Sequence, residues 1–150
     1  MAENINFTAE NNPFPTAAEL LKMLELSPNQ FKDQYLSNLI SPTFHEYLNK
    51  LMGERKLSAS NLITEASISK TYAYQFINGE RLPGRDIVLR LCLAMQLSLD
   101  EAQELLTLAG KSILYPRIKR DACILYCFRK KMPLDETNLF LEELGEAPLL

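Results

Sequence analysis

Histidine is almost missing from this chain of 150 residues, with His45 as its sole example. A histidine-rich metal site or a Ser-His-Asp relay is thereby all but excluded. Glycine is scarce too, and its five residues form no Gly-rich loop of the kind that cradles phosphates. Three cysteines, Cys92, Cys123 and Cys127, are an odd number, and each sits among apolar neighbours. They read as reduced thiols in a helical core and not as a disulfide framework. Cys123 and Cys127 lie one helical turn apart but lack the second pair that a thiolate metal site takes. No uncharged apolar run reaches about 18 residues, so a membrane span is not expected. The polar, acidic N-terminus lacks the basic-then-apolar layout of a secretory signal, and a cytoplasmic protein is expected. Glu142-Glu143 reads as a solvated helix face. Neither a catalytic activity nor a cofactor is expected.

What is present favours helices. No β-branched alternation reads as a strand, while Leu, Ala, Glu and Lys abound. The net charge of −3 hides strong patterning. From Met1 to Glu46 two Lys face six Asp or Glu, and from Tyr47 to Gly110 seven bases balance seven acids. Lys111 to Lys131 then carries seven bases against Asp121 alone, and the tail from Met132 carries five acids and no base. One basic block therefore stands between neutral and acidic stretches.

The all-α chain divides into a flexible leader (1–15), a helical extension (16–42), a central domain (43–110) and a C-terminal helical extension (111–150). Within 16–42, the spacing predicts helices over 17–26 and, after Ser27-Pro28, to about residue 40. Ser41-Pro42 breaks the second. In the central domain Phe44, Tyr47, Leu48 and Leu51 mark one buried face of a helix ending near Lys56. Ser58 caps the next, which runs to about Ala66. Ser67-Ile68-Ser69 links it to a third, Lys70 to Ile77, stopped by Asn78-Gly79. Ile87, Val88, Leu91, Ala94 and Met95 mark a fourth. Ser98 with Glu101 makes a capping box for a fifth that ends before Gly110. Beyond it, Pro116 is read as opening a sixth helix to about Lys131, and residues 134–144 as a seventh.

Leu57-Ser58, Leu62, Ile68-Ser69, Asn78-Gly79, Pro83, Leu89, Leu91, Ala94 and Ser98-Leu99-Asp100-Glu101 fall without gaps in one order. In that order the segment from Thr43 to Leu108 resembles lambda-repressor/Cro-like (Xre-type) helix-turn-helix domains. The resemblance implies a five-helix bundle whose second helix braces against the DNA backbone and whose third lies in the major groove. Three positions depart from the family pattern. Ile63 stands where a small residue is usual, Ser67 where glycine is common, and Ala59 where a glutamine frequently braces the phosphate contact.

On that resemblance the DNA-contacting set is Ser58, Ser69, Lys70, Thr71, Tyr72, Tyr74, Gln75, Asn78 and Arg81. Ser69 and Thr71 suit a phosphate at a helix N-terminus, where the dipole favours an anion. Lys70 suits a phosphate or guanine, Gln75 the paired bonds of adenine, and Tyr72 or Tyr74 a thymine methyl. Asn78 and Arg81 suit backbone contact, and Ser58 caps the bracing helix. Ala73 and Ile77 are read as core. The same residues also fit a capped, solvated helix. Arg81, Arg85 and Lys56 can add charge, as can the block Arg117, Lys119, Arg120 and Arg129 to Lys131. That block reads equally as a solvated face or a dock for an acidic partner, this chain's own tail included. The implied function is a sequence-specific transcription regulator on double-stranded DNA, with a homodimer through the N- or C-terminal helices. The other reading is a protein-interaction module, with a protein partner in place of DNA.

Overall fold

The computed structural model describes residues 17–149, so the leader 1–15 lies outside the described residues. Among these residues every regular element is helical. None of the helices is long and apolar enough to cross a membrane. The chain divides into two compact units, Met1–Ser41 and Pro42–Leu150.

The first unit holds α1, Ala17–Leu24, and α2, Pro28–Gln30, which continues as a π-helical stretch, Phe31–Leu36. Ser27 and Gln30 form a reciprocal capping box at the start of α2. Phe31 and Tyr35 stack at 5.6 Å. The stretch ends sooner than the expected residue 40, because side chains take over its last carbonyls. Ser37 Oγ donates to Lys32 O and Asn38 Nδ2 to Gln34 O. Such local bonds compete with continued helix.

The second unit carries seven helices: α3 Phe44–Glu54, α4 Ala59–Ala66, α5 Lys70–Ile77, α6 Arg85–Ala94, α7 Leu99–Leu108, α8 Lys119–Arg129 and α9 Leu134–Glu143. Thr43 with Glu46 and Ser98 with Glu101 cap α3 and α7 as boxes. Ser58 and Ser69 cap α4 and α5 through single side-chain bonds. Four of these helices end on a non-glycine residue in the left-handed region: Lys56, Ser67, Gln96 and Lys131, at φ of 51 to 55°. Each is followed by an apolar residue (Leu57, Ile68, Leu97, Met132) whose amide donates back to Met52, Ile63, Cys92 or Cys127 O. The left-handed turn lets that amide satisfy a carbonyl of the last helical turn, which compensates a strain of about 1 kcal/mol.

Central α6 packs against α4, α7 and α9, while α3 lies on α5 and α7, and α8 on α7 and α9. The core is continuous: Leu48, Leu51, Leu62, Phe76, Leu89, Leu91, Leu105 and Leu106 are fully buried, and so are Leu114, Ile124, Leu141 and Leu149. The C-terminal helices therefore form a second layer on the central bundle.

Two Arg-Asp dipeptides hold that layer. Arg85 at the start of α6 grips Asp121 of α8 with two bonds of 2.9 and 2.8 Å. Arg120 of α8 grips Asp86 of α6 with two bonds of 3.0 Å. Arg85 also donates to Ser112 O and Ile113 O, and the Tyr115 amide donates to Asp121. These bonds keep 111–115 extended, so α8 begins at Lys119 and Pro116 lies in the turn before it, not inside the helix as the sequence suggests.

Burial pushes the Asp121 carboxyl up, but its bonds to Arg85 and the Tyr115 amide, with the Arg85 and Arg120 charges, outweigh it and hold it below the ordinary carboxylate range. The stability this group contributes is fully present above the unfolded carboxylate pKa of about 3.9. It is lost as pH falls through the lower folded value. Asp121→Asn leaves the half-buried Arg85 without its anion and is expected to cost about 3 kcal/mol at pH 7. The gap to wild type in urea unfolding then narrows once the pH drops below about 4.

Candidate nucleic-acid interface

Ser67-Ile68-Ser69 joins α4 to α5, and three observations fix the angle between them. Ser67 takes the left-handed conformation, φ 53° and ψ 45°. Ile68 is buried beneath the turn. From α6, Arg90 Nε donates to Ala66 O at 3.0 Å and its terminal nitrogen to Ser67 O at 2.7 Å. The final carbonyls of α4 are thus satisfied by a cation, which also suits the negative end of the helix dipole.

At 100° per residue, Lys70, Thr71, Tyr74, Gln75 and Asn78 fall on one side of α5. Ala73 and Phe76 fall on the other, inside the core. Lys70, Thr71 and Asn78 are exposed, and Tyr74 and Gln75 half-buried, so none of the five is wholly covered. Ser69 accepts from the Tyr72 amide at 3.3 Å, and Ser58 from the Asn61 amide at 3.2 Å. Tyr72 is turned sideways. Its ring meets Phe76 edge-on at 4.7 Å, and the Arg81 guanidinium lies 5.1 Å from the ring centre. Cation–π contact of this kind gives Arg81 a defined place beside α5.

The far end of α5 is held from α3. Asn49 Nδ2 donates to Ile77 O at 3.0 Å and to His45 O at 2.7 Å. His45, sharing a 3.1 Å hydrogen bond with Thr43 Oγ1, lies against Gly79. Gly79 has φ +79°, and a Cβ there would sit 2.6 Å from His45 Nδ1. The Glu80 and Arg81 amides both donate to Gln75 O, closing the turn.

Sequence reasoning did not find Arg90, His45 or Asn49. Asn49 has a local helical partner in His45, but nothing local marks its bond to Ile77, 28 residues onward. The Asn78-Gly79 stop was the sole legible trace of the His45 packing.

Positive charge on this face is sparse. Lys70 is the one Lys or Arg within α5, while Glu65 and Glu80 stand exposed in the same stretch of chain. Several other bases are engaged elsewhere. Arg85 and Arg120 hold their aspartates, and Lys119 reaches Leu144 O at 2.6 Å and Glu146 at 3.7 Å. Arg117, Arg129, Lys130 and Lys131 remain exposed, Lys130 over the Tyr126 ring at 5.6 Å.

Among the described residues, no group of three or more His, Cys, Asp or Glu side chains is placed to hold a metal. Burial pushes the Cys92 thiol up. It does the same at Cys127, where a Thr137 hydrogen bond opposes it and nearby Cys123 adds to it. Both thiols are protonated at neutral pH and behave as small apolar residues. No protein-family model, curated protein or solved structure matches the chain.

Gly79→Ala adds a steric clash to a strained φ and is expected to cost about 2–3 kcal/mol. Combining it with His45→Ala removes the clash but not the strain, so about half the loss returns in a double-mutant cycle of urea unfolding. Arg90→Ala strips the last α4 carbonyls of their donor and is expected to cost about 2 kcal/mol by the same measurement.

Proposed function

We propose that this chain is a sequence-specific DNA-binding regulator of the lambda-repressor/Cro-like (Xre-type) helix-turn-helix kind. On this reading α3 to α7 are the five-helix bundle, α4 braces on the phosphate backbone, and α5 lies in the major groove. One observation carries the reading: the outer face of α5 gathers Lys70, Thr71, Tyr74, Gln75 and Asn78, none of them buried. A short helix fixed at both ends by other helices, yet open along its polar side, is what base readout requires. The C-terminal layer packs on α6 and α7 and leaves that side accessible.

Each side chain then has a role. The capped N-termini of α4 and α5, at Ser58 and Ser69, face phosphates with their remaining amides. Lys70 and Thr71 neutralise or bond a phosphate, and Arg81, steadied on Tyr72, does so from the following loop. Gln75 and Tyr74 read base edges, and Asn78 sits at the groove margin. Tyr72 contributes by holding Arg81 and not by touching a base.

The scarcity of cations on α5 favours one second reading, a protein-interaction module built on the same scaffold with Tyr74 at its centre. Selection from random-sequence duplex pools separates the two. Under the DNA reading one motif is enriched. Lys70→Ala then weakens binding about tenfold on every sequence and lowers the salt slope by about one. Gln75→Ala relaxes preference at one base pair by about 1–3 kcal/mol. Equal, weak, salt-sensitive binding by wild type and both variants, with nothing enriched, rejects base readout.

A further inference from the structure

Glu104, Asp121 and Thr137 are the polar side chains buried among the described residues. Asp121 is held by Arg85 and the Tyr115 amide, and Thr137 Oγ1 donates to Met132 O at 3.4 Å. Glu104 of α7, 8% exposed, makes neither a side-chain hydrogen bond nor an ion pair among these residues. Burial without a partner disfavours the charged form of a carboxyl.

Its place is set by its neighbours. Glu101, one turn earlier on α7, takes the Arg55 guanidinium of α3 at 2.7 Å. Both acids push up the Tyr47 phenol of α3, which is itself buried and makes no hydrogen bond. Glu104 therefore lies on the α3 side of α7, near a phenol and without the guanidinium. The cations of α3 are engaged: Arg55 also donates to Met95 O, and exposed Lys50, 6.0 Å over the Tyr47 ring, bridges to Glu54 at 3.9 Å. From α6 the buried Cys92 thiol feels Glu101. No charge on α6 or α8 offsets Glu104, and burial alone pushes its carboxyl up.

We propose that Glu104 is a proton-sensitive weak point in the α3–α7 contact, whose ionisation loosens the hold of α3 on the far end of α5. The connection runs through one helix, because α3 packs on both α5 and α7. Asn49 of α3 bonds Ile77 O and His45 of α3 lies against Gly79, with Tyr47 between them in sequence. A carboxyl raised by the fold binds its proton more tightly folded than unfolded. Its contribution to stability is whole below the unfolded value of about 4.3 and is lost as pH rises through the higher folded value. Glu104 thus works against Asp121, whose contribution is lost toward acid. The coupling acts whatever α5 binds and stands apart from the function proposed for it.

Urea unfolding of the full-length protein between about pH 4 and about pH 7.5 tests it, with Glu104→Gln and Glu104→Leu beside wild type. Neither variant titrates at this position, so the offset between their midpoints stays constant. Against either one, the wild-type midpoint falls steadily as pH rises. At the upper pH, hydrogen exchange at the Ile77, Asn78 and Gly79 amides is faster in wild type than in Glu104→Gln, and at the lower pH the two agree. A wild-type offset that does not change with pH overturns the inference. So does one that moves the other way, the mark of a carboxylate that has found a cation. Equal exchange at the end of α5 in both proteins at the upper pH overturns it as well.

Discussion

The reciprocal pairing of Arg85-Asp86 with Arg120-Asp121 is the constraint on which the second unit depends. Each arginine takes the aspartate of the other dipeptide, so α6 and α8 are tied at their first turns by two bidentate bridges. Bidentate guanidinium–carboxylate bonds are directional as well as strong, and a pair of them admits one register. Taking charges out of water is costly, and Asp121 is almost wholly buried. That cost is offset because every polar neighbour is engaged: Arg85 also holds two loop carbonyls, and Arg120 also bonds Ala147 O and Pro148 O. Through these bonds the connection to α8 and the C-terminal segment are fixed by the same four side chains.

Two amides complete the frame. Gln103 on α7 both accepts from the Leu114 amide and donates to Leu114 O, and Asn138 on α9 does the same with Leu149. Each treats an extended residue as a neighbouring strand would, and each extended residue buries its leucine in the core. Extended chain is thereby satisfied inside an all-helical unit without a sheet.

Local physics explains what the sequence made legible. Ser58, Ser69, Thr43 and Ser98 are caps because their oxygens reach amides three residues ahead, a geometry that needs nothing distant. The apolar period of α3 and the core position of Ala73 follow from the same short range. Arg90 on Ser67, Asn49 on Ile77 and the Arg-Asp exchange span 23 to 36 residues and were illegible. A lone arginine looks alike in the sequence whether it meets phosphate, solvent or a buried carboxylate. The basic block after Lys111 left several readings open for that reason, the chain's own tail among them. Lys119 and Arg120 reach the chain's own C-terminal segment, and Arg120 also reaches α6. The left-handed ends at Lys56, Gln96 and Lys131 were hidden as well, because no glycine marks them.

Removing the engaged cations changes what the α5 face must do if it meets DNA. A protein that neutralises many phosphates binds any duplex, and its affinity falls steeply with salt. With Lys70 and Arg81 as the nearby bases, the nonspecific part of binding is small, and most of the affinity must come from Gln75, Tyr74 and the capped helix ends. Such a face discriminates well only if its geometry is rigid, because each misplaced bond forfeits most of its value. Rigidity is what Arg90, Asn49 and the His45–Gly79 contact supply at the two ends of α5. A single copy with so little electrostatic hold gains most from a second copy on the same duplex, since linked sites multiply affinity without new contacts.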